Sequence, residues 1–80
     1  MTGPDAGIVR KRSVVIAGHR TSVSMEQAFW DELKRIADRE GRSLGALITE
    51  VDKRRSGNLS SALRVYVLQD LRAVIASGDP

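Results

Sequence analysis

A chain of 80 residues with no cysteine and 13 basic against 10 acidic side chains is enough for one domain, and a second is not expected within it. The lack of cysteine rules out disulfides, a thiolate nucleophile and a cysteine-based zinc site, a usage that fits a reducing, cytoplasmic setting. No apolar run approaches the roughly 20 residues of a membrane span, and Gly3, Pro4 and Asp5 do not resemble the start of a signal peptide, so a cytoplasmic protein without a membrane partner is expected.

The net charge of +3 hides an uneven distribution. Between Ala6 and Met25 there is no acid, while Arg10, Lys11, Arg12 and Arg20 fall inside that window, so the first part of the chain favours an anionic partner. Residues 1–12 read as a flexible basic arm, and residues 13–77 as the folded domain.

The first folded segment, Ser13 to Ser24, is rich in β-branched and small residues, with Val14, Val15 and Ile16 before Ala17-Gly18 and a clear strand at about 19–24. A single strand leaves backbone donors and acceptors unpaired, and at this size a second copy is the natural source of buried surface. The expected pairing is therefore antiparallel, between the same strand of two subunits about a two-fold axis. The competing reading is an internal hairpin across Ala17-Gly18, but two-residue loops prefer Asn-Gly or a leading Gly, and Ala-Gly is a poor turn. Alternation from Val23 and Met25 puts His19 and Thr21 toward the helices and Arg20, Ser22 and Ser24 toward solvent. The same alternation exposes Val14 and Ile16 unless a bulge at Gly18 resets the register.

From Met25 the apolar period lengthens. Phe29, Leu33, Ile36 and Ala37 share one helical face, which predicts a helix at about 26–40 capped by Ser24 and stopped by Gly41. Ser43 caps a second helix at about 43–54 with Leu44, Leu47, Ile48 and Val51 on its face and Lys53, Arg54 and Arg55 at its end. A third helix at about 59–77 carries Leu59, Leu63, Tyr66, Val67, Leu71, Val74 and Ile75, a stripe wide enough to need burial on more than one neighbour.

The order strand, helix, Gly41-Arg42-Ser43, helix resembles the ribbon-helix-helix family of bacterial and phage repressors, which includes the Arc and methionine repressor types. The resemblance covers about residues 20–54, and its most recognisable piece is LKRIADREGRSLGALITEV. The tail, NLSSALRVYVLQDLRAVI, is similar to that of a subgroup of small bacterial members with an added C-terminal helix. The resemblance implies a mainly α homodimer with a two-stranded intermolecular ribbon and a role as a sequence-specific DNA-binding transcriptional regulator, a repressor in type. In that family three alternate strand positions reach base edges in the major groove, here Arg20, Ser22 and Ser24. Phosphate is held at the start of the second helix, here Arg42, Ser43 and Leu44, while Arg10, Lys11 and Arg12 read from their own charge either as a solvated disordered arm or as a phosphate-binding one. Arg20 suits bidentate contact with guanine, whereas the two serines discriminate weakly.

Other features read as structural. His19 is the only histidine, so no metal site or triad can be assembled around histidines. Asp31, Glu32, Asp38 and Glu40 lie among Lys34, Arg35, Arg39 and Arg42 on a helical surface and read as solvated. Phe29 and Trp30 point about 100 degrees apart, so Phe29 belongs to the core and Trp30 to its edge. Asp52 and Arg64 are candidates for an ion pair between the second and third helices. No phosphate loop, nucleophile motif or metal-ligand cluster occurs, so neither an enzyme nor a cofactor is expected. The rival function is a protein-interaction module, antitoxin-like or adaptor, in which the third helix or Trp30 engages a protein partner.

Overall fold

A computed structural model describes residues 6–78. Two antiparallel strands, β1 (Val9–Ile16) and β2 (His19–Glu26), are followed by three helices, α1 (Gln27–Glu40), α2 (Leu44–Arg54) and α3 (Leu59–Ser77). The first correction to the sequence reading lies here: the chain has two strands, not one, and they pair with each other in a hairpin. Ala17 and Gly18 form its loop with φ of 53° and 81°, the pair of positive values that a type I′ turn requires. Glycine adopts such a φ freely, whereas alanine does so at a cost of roughly 1–2 kcal/mol. Full strand pairing and the packing of one face offset that cost.

The two-residue turn also removes the need for a bulge. Pairing runs from Ile16 opposite His19 to Val9 opposite Glu26, so even-numbered residues of β1 face odd-numbered residues of β2. Val14 and Ile16 therefore share the inward face with Val23 and Met25, and all four are buried. His19 and Thr21 lie on the inward side by register, opposite the buried Ile16 and Val14, yet are exposed themselves, bordering a shallow cleft with Asp52, Arg55 and Leu59.

The second correction concerns the basic arm. Its last four residues, Val9 to Arg12, belong to β1, and the segment before them is tied to α1: Ala28 N–H donates to the Ala6 carbonyl at 3.0 Å and Gln27 N–H to the Ile8 carbonyl at 3.2 Å. These two bonds occupy amides at the helix start that would otherwise lack partners. They replace the cap expected from Ser24, which stays in β2, and the residue at the cap position, Glu26, makes no side-chain capping bond. Residues 1–5 of the arm lie outside the described residues.

The remaining boundaries follow local chemistry. Gly41 ends α1 at φ 68°, with its own amide on the Asp38 carbonyl and the Arg42 amide on that of Ala37. Ser43 accepts from Ala46 N–H and Asn58 from Ser61 N–H, both at 3.1 Å, fixing the starts of α2 and α3. The core gathers Val14, Ile16, Val23 and Met25 from the ribbon with Leu33, Ile36, Ala37, Leu47, Ile48, Val51, Leu63 and Val67 from the helices. Truncating such a residue to alanine typically costs 2–5 kcal/mol, a large share of a small domain's stability. All of this core comes from one chain.

Ion pairs fasten α3 across the other elements. Asp70, 14% exposed, accepts from Arg35 at 2.8 Å and from Arg39 at 2.6 Å, joining α3 to α1. Arg64 donates to Glu26 at 2.9 Å and lies over the Phe29 ring, joining α3 to the end of β2. Asp52 pairs within its own turn with Arg55, at 2.6 Å, so the Asp52–Arg64 pair suggested by sequence does not form. The two residues leave their helices toward opposite ends of the ribbon, Asp52 beside the turn and Arg64 at Glu26.

Two outcomes are expected. Ala17→Asn gives the turn its preferred Asn-Gly pair and should raise stability by about 1 kcal/mol in urea unfolding, since asparagine tolerates the left-handed region. Arg39 foremost, with Arg35, holds the Asp70 carboxyl below its ordinary range. A carboxylate with a depressed folded-state pKa stabilises the fold above its unfolded pKa, and that contribution is lost as pH falls through the folded value. Asp70→Asn should therefore cost about 1–2 kcal/mol at neutral pH and flatten the loss of stability that the parent shows below about pH 4.

Candidate nucleic-acid interface

The ribbon has one face packed on the helices and one face free. By the pairing register, Lys11 lies opposite Ser24, Ser13 opposite Ser22 and Val15 opposite Arg20, and these six side chains point outward and are exposed. The three base-reading candidates, Arg20, Ser22 and Ser24, are thus brought together in a row along β2. A second row, Lys11, Ser13 and Val15, runs beside it on β1. Same-face neighbours along a strand are about 7 Å apart and the strands about 4.8 Å apart, so the six occupy a patch narrower than the roughly 12 Å major groove.

The patch is cationic and rich in hydroxyls. No acid occurs between Ala6 and Met25, and among the described residues no carboxylate holds Lys11 or Arg20. Arg10 belongs to the inward register opposite Met25 but is itself exposed beyond the helices. Arg12 is held differently. Its guanidinium lies 4.7 Å from the centre of the Trp30 ring and donates to Gln27, which in turn donates to Asp31 at 2.8 Å. Trp30 covers the core edge, as its position beside Phe29 implies.

The start of α2 sits beside β1, where a side chain added at Gly45 would meet the Val15 carbonyl at 3.9 Å. Ser43 spends its hydroxyl on the Ala46 amide, and Leu44 follows at the first helical position. Arg42 is turned into a clasp of two carboxylates: it donates to Glu50 and pairs with Glu40 at 2.8 Å, with the Tyr66 hydroxyl at 3.5 Å. This contact holds the Glu50 carboxyl below its usual range. Arg42 and the outward row are therefore separate groupings, the one compensated by acids and the other not.

Sequence reasoning missed β1 as part of the outward face. The signal was the parity of the apolar residues, even at Val14 and Ile16 but odd at Val23 and Met25, which a two-residue turn produces without any bulge. Among the described residues no group of three or more histidine, cysteine or carboxylate side chains could hold a metal ion, and no helix is long and apolar enough to cross a membrane.

Comparison with known proteins bears on this architecture. The solved structure of an uncharacterized protein from Bordetella pertussis Tohama I superposes with a TM-score of 0.78 at 32% sequence identity. The similarity covers 96% of this chain and 66% of that one, so the chain spans just under two thirds of its neighbour's length. No curated protein matches the sequence. A family model described as "Ribbon-helix-helix domain" matches residues 9–71, which takes in the hairpin, α1, α2 and most of α3. Because that match spans well over half of the 80 residues, the chain belongs to the ribbon-helix-helix family.

Proposed function

We propose that this protein is a sequence-specific DNA-binding transcriptional regulator, a repressor in type, that lays the outward face of its hairpin in the major groove. Membership supports the reading, since the family generally dimerises and binds DNA and is typically non-enzymatic. The observation that carries it is the stretch of outward face from the turn to Ser24, which holds no acid and on which Arg20, Ser22 and Ser24 alternate along β2 with Lys11 beside them. Arg20 is proposed to bind guanine bidentately, and the two serines to make weaker base contacts. Arg10, Lys11 and the amides from Leu44 onward are proposed to hold phosphates. Arg12 and Arg42 can join them by exchanging Gln27, or Glu40 and Glu50, for a phosphate.

The homodimer is part of the same proposal, in a form changed by the hairpin: each copy contributes a complete ribbon, not one strand of a shared ribbon. A second copy is proposed to cover α3. Val65, Leu68, Leu71 and Ile75 are exposed on its outer side, and the first three border a shallow apolar cleft with Phe29 and Arg64. An uncovered stripe of this kind marks an interaction surface. It also favours the second reading, a protein-interaction module whose partner is a different protein.

Arg20→Ala should lower discrimination among duplexes by about 1–3 kcal/mol per site. Lys11→Ala should instead weaken all duplexes alike and reduce the slope of log affinity against log salt by about one. Fluorescence anisotropy of labelled duplexes at two salt concentrations measures both, and variants that select and bind as the parent does would overturn the DNA reading. Leu68→Asp should convert the dimer to a single folded chain in sedimentation equilibrium. A parent that already sediments as one chain would exclude the dimer and shift the weight to a different protein partner.

A further inference from the structure

The hairpin does more than supply a scaffold for β2. Its turn makes the two strands unequal readers: β2 carries Arg20, Ser22 and Ser24 outward, whereas β1 carries Lys11, Ser13 and Val15. Five of these side chains are cationic or hydroxylic. Among these six Val15 is the exception, a branched apolar side chain 56% exposed at the turn end of the uncovered face, while Val9, 54% exposed, continues the same register at the far end. Isolated exposed apolar residues are ordinary on protein surfaces. What sets this one apart is its place, directly opposite Arg20 in the ladder.

Side chains opposite one another in an antiparallel ladder have Cβ atoms about 4.5–5.5 Å apart. Successive base pairs are about 3.4 Å apart. If the Arg20 guanidinium binds a guanine edge, the Val15 side chain reaches the same base pair or the next one. The apolar group that a base presents in the major groove is the 5-methyl of thymine. A valine at this point has no hydrogen bond to offer and strips water from whatever it meets, so contact with a methyl is favourable and contact with an amino or carbonyl edge is not.

We propose that Val15 is a specificity-determining residue that contacts the 5-methyl group of a thymine adjoining the guanine read by Arg20, so that both strands of one chain read sequence. The proposal rests on the DNA-binding function above. It makes the footprint of one chain asymmetric, because the apolar reader comes from β1 and the guanidinium from β2. The stretch from Lys11 to Val15, and that from Arg20 to Ser24, spans about 14 Å, so these positions cover on the order of four base pairs.

The test starts with selection of a preferred duplex from a random library by the full chain, repeated with Arg20→Ala to mark the guanine. Thymines within one base step of that guanine are then replaced singly by deoxyuridine, which lacks only the 5-methyl. The parent should bind one such duplex about fourfold more weakly, the loss corresponding to ~0.8 kcal/mol for one methyl-sized group. Val15→Ser should bind the thymine and deoxyuridine duplexes equally, while Val15→Ile should retain the difference. Should Val15→Ser fail to fold, the parent's own response to deoxyuridine decides. A selected site with no thymine beside the guanine, or one insensitive to the substitution in the parent, overturns the role of Val15 and leaves DNA reading intact. Failure to select or bind any duplex at low salt overturns the DNA reading itself and the proposal with it.

Discussion

Two consecutive residues with positive φ, Ala17 and Gly18, fix the parity of the ribbon. Because the loop holds two residues, Ile16 meets His19, and every later pair joins an even position of β1 to an odd position of β2, or the reverse. One face then collects Val14, Ile16, Val23 and Met25, and the other collects Lys11, Ser13, Val15, Arg20, Ser22 and Ser24. A loop one residue longer would move one strand's whole apolar set to the solvent side, since side chains alternate with a period of two. The helices can only cover a ribbon sorted in this way.

Closing the hairpin within one chain changes what the helices must do. Each strand finds its backbone partners inside the chain, so the core is built without a second copy: Leu33, Ile36, Leu47, Ile48 and Leu63 are fully buried against the four ribbon residues. α3 contributes Leu63 and Val67 inward and is held by Asp70 to α1 and by Arg64 to the end of β2. Its other side, through Val65, Leu68 and Ile75, is left without cover in the single chain. A helix apolar on two sides is the physical source of the dimer proposal.

Charge is sorted as sharply as hydrophobicity. Acids cluster on the helices, where they neutralise the nearby arginines: Glu32 and Asp70 on Arg35, Asp70 on Arg39, Glu40 and Glu50 on Arg42, Asp52 on Arg55. Apart from those of the largely covered Asp70, such exposed pairs add little stability each, but together they leave the helical surface nearly balanced. On the outward face of the ribbon no carboxylate among the described residues holds Lys11 or Arg20, so their charge lies on the face that is also free of packing. Cationic side chains and exposed hydroxyls on a two-stranded element are the combination that a groove lined with phosphates and base edges can use.

Much of this was legible in the residues. The period of Phe29, Leu33, Ile36 and Ala37, the stop at Gly41, the cap at Ser43 and the apolar run of α3 are local signals, and a helix with its ends is encoded within a few residues of itself. The acid-free window and the outward alternation of Arg20, Ser22 and Ser24 were equally visible, because alternation is a property of a single strand. The partner of that strand was not. Pairing depends on whether a poor turn is tolerated, and the cost of Ala17 in the left-handed region can be weighed only against the whole of the packing that it makes possible. For the same reason only the tertiary structure placed Lys11 and Val15 beside Arg20, gave the start of α1 to the carbonyls of Ala6 and Ile8 instead of to Ser24, and turned Arg42 toward Glu40 and Glu50. Local sequence determined the elements and the chemistry of each face, whereas competition among distant segments for the same backbone groups and charges decided which faces meet.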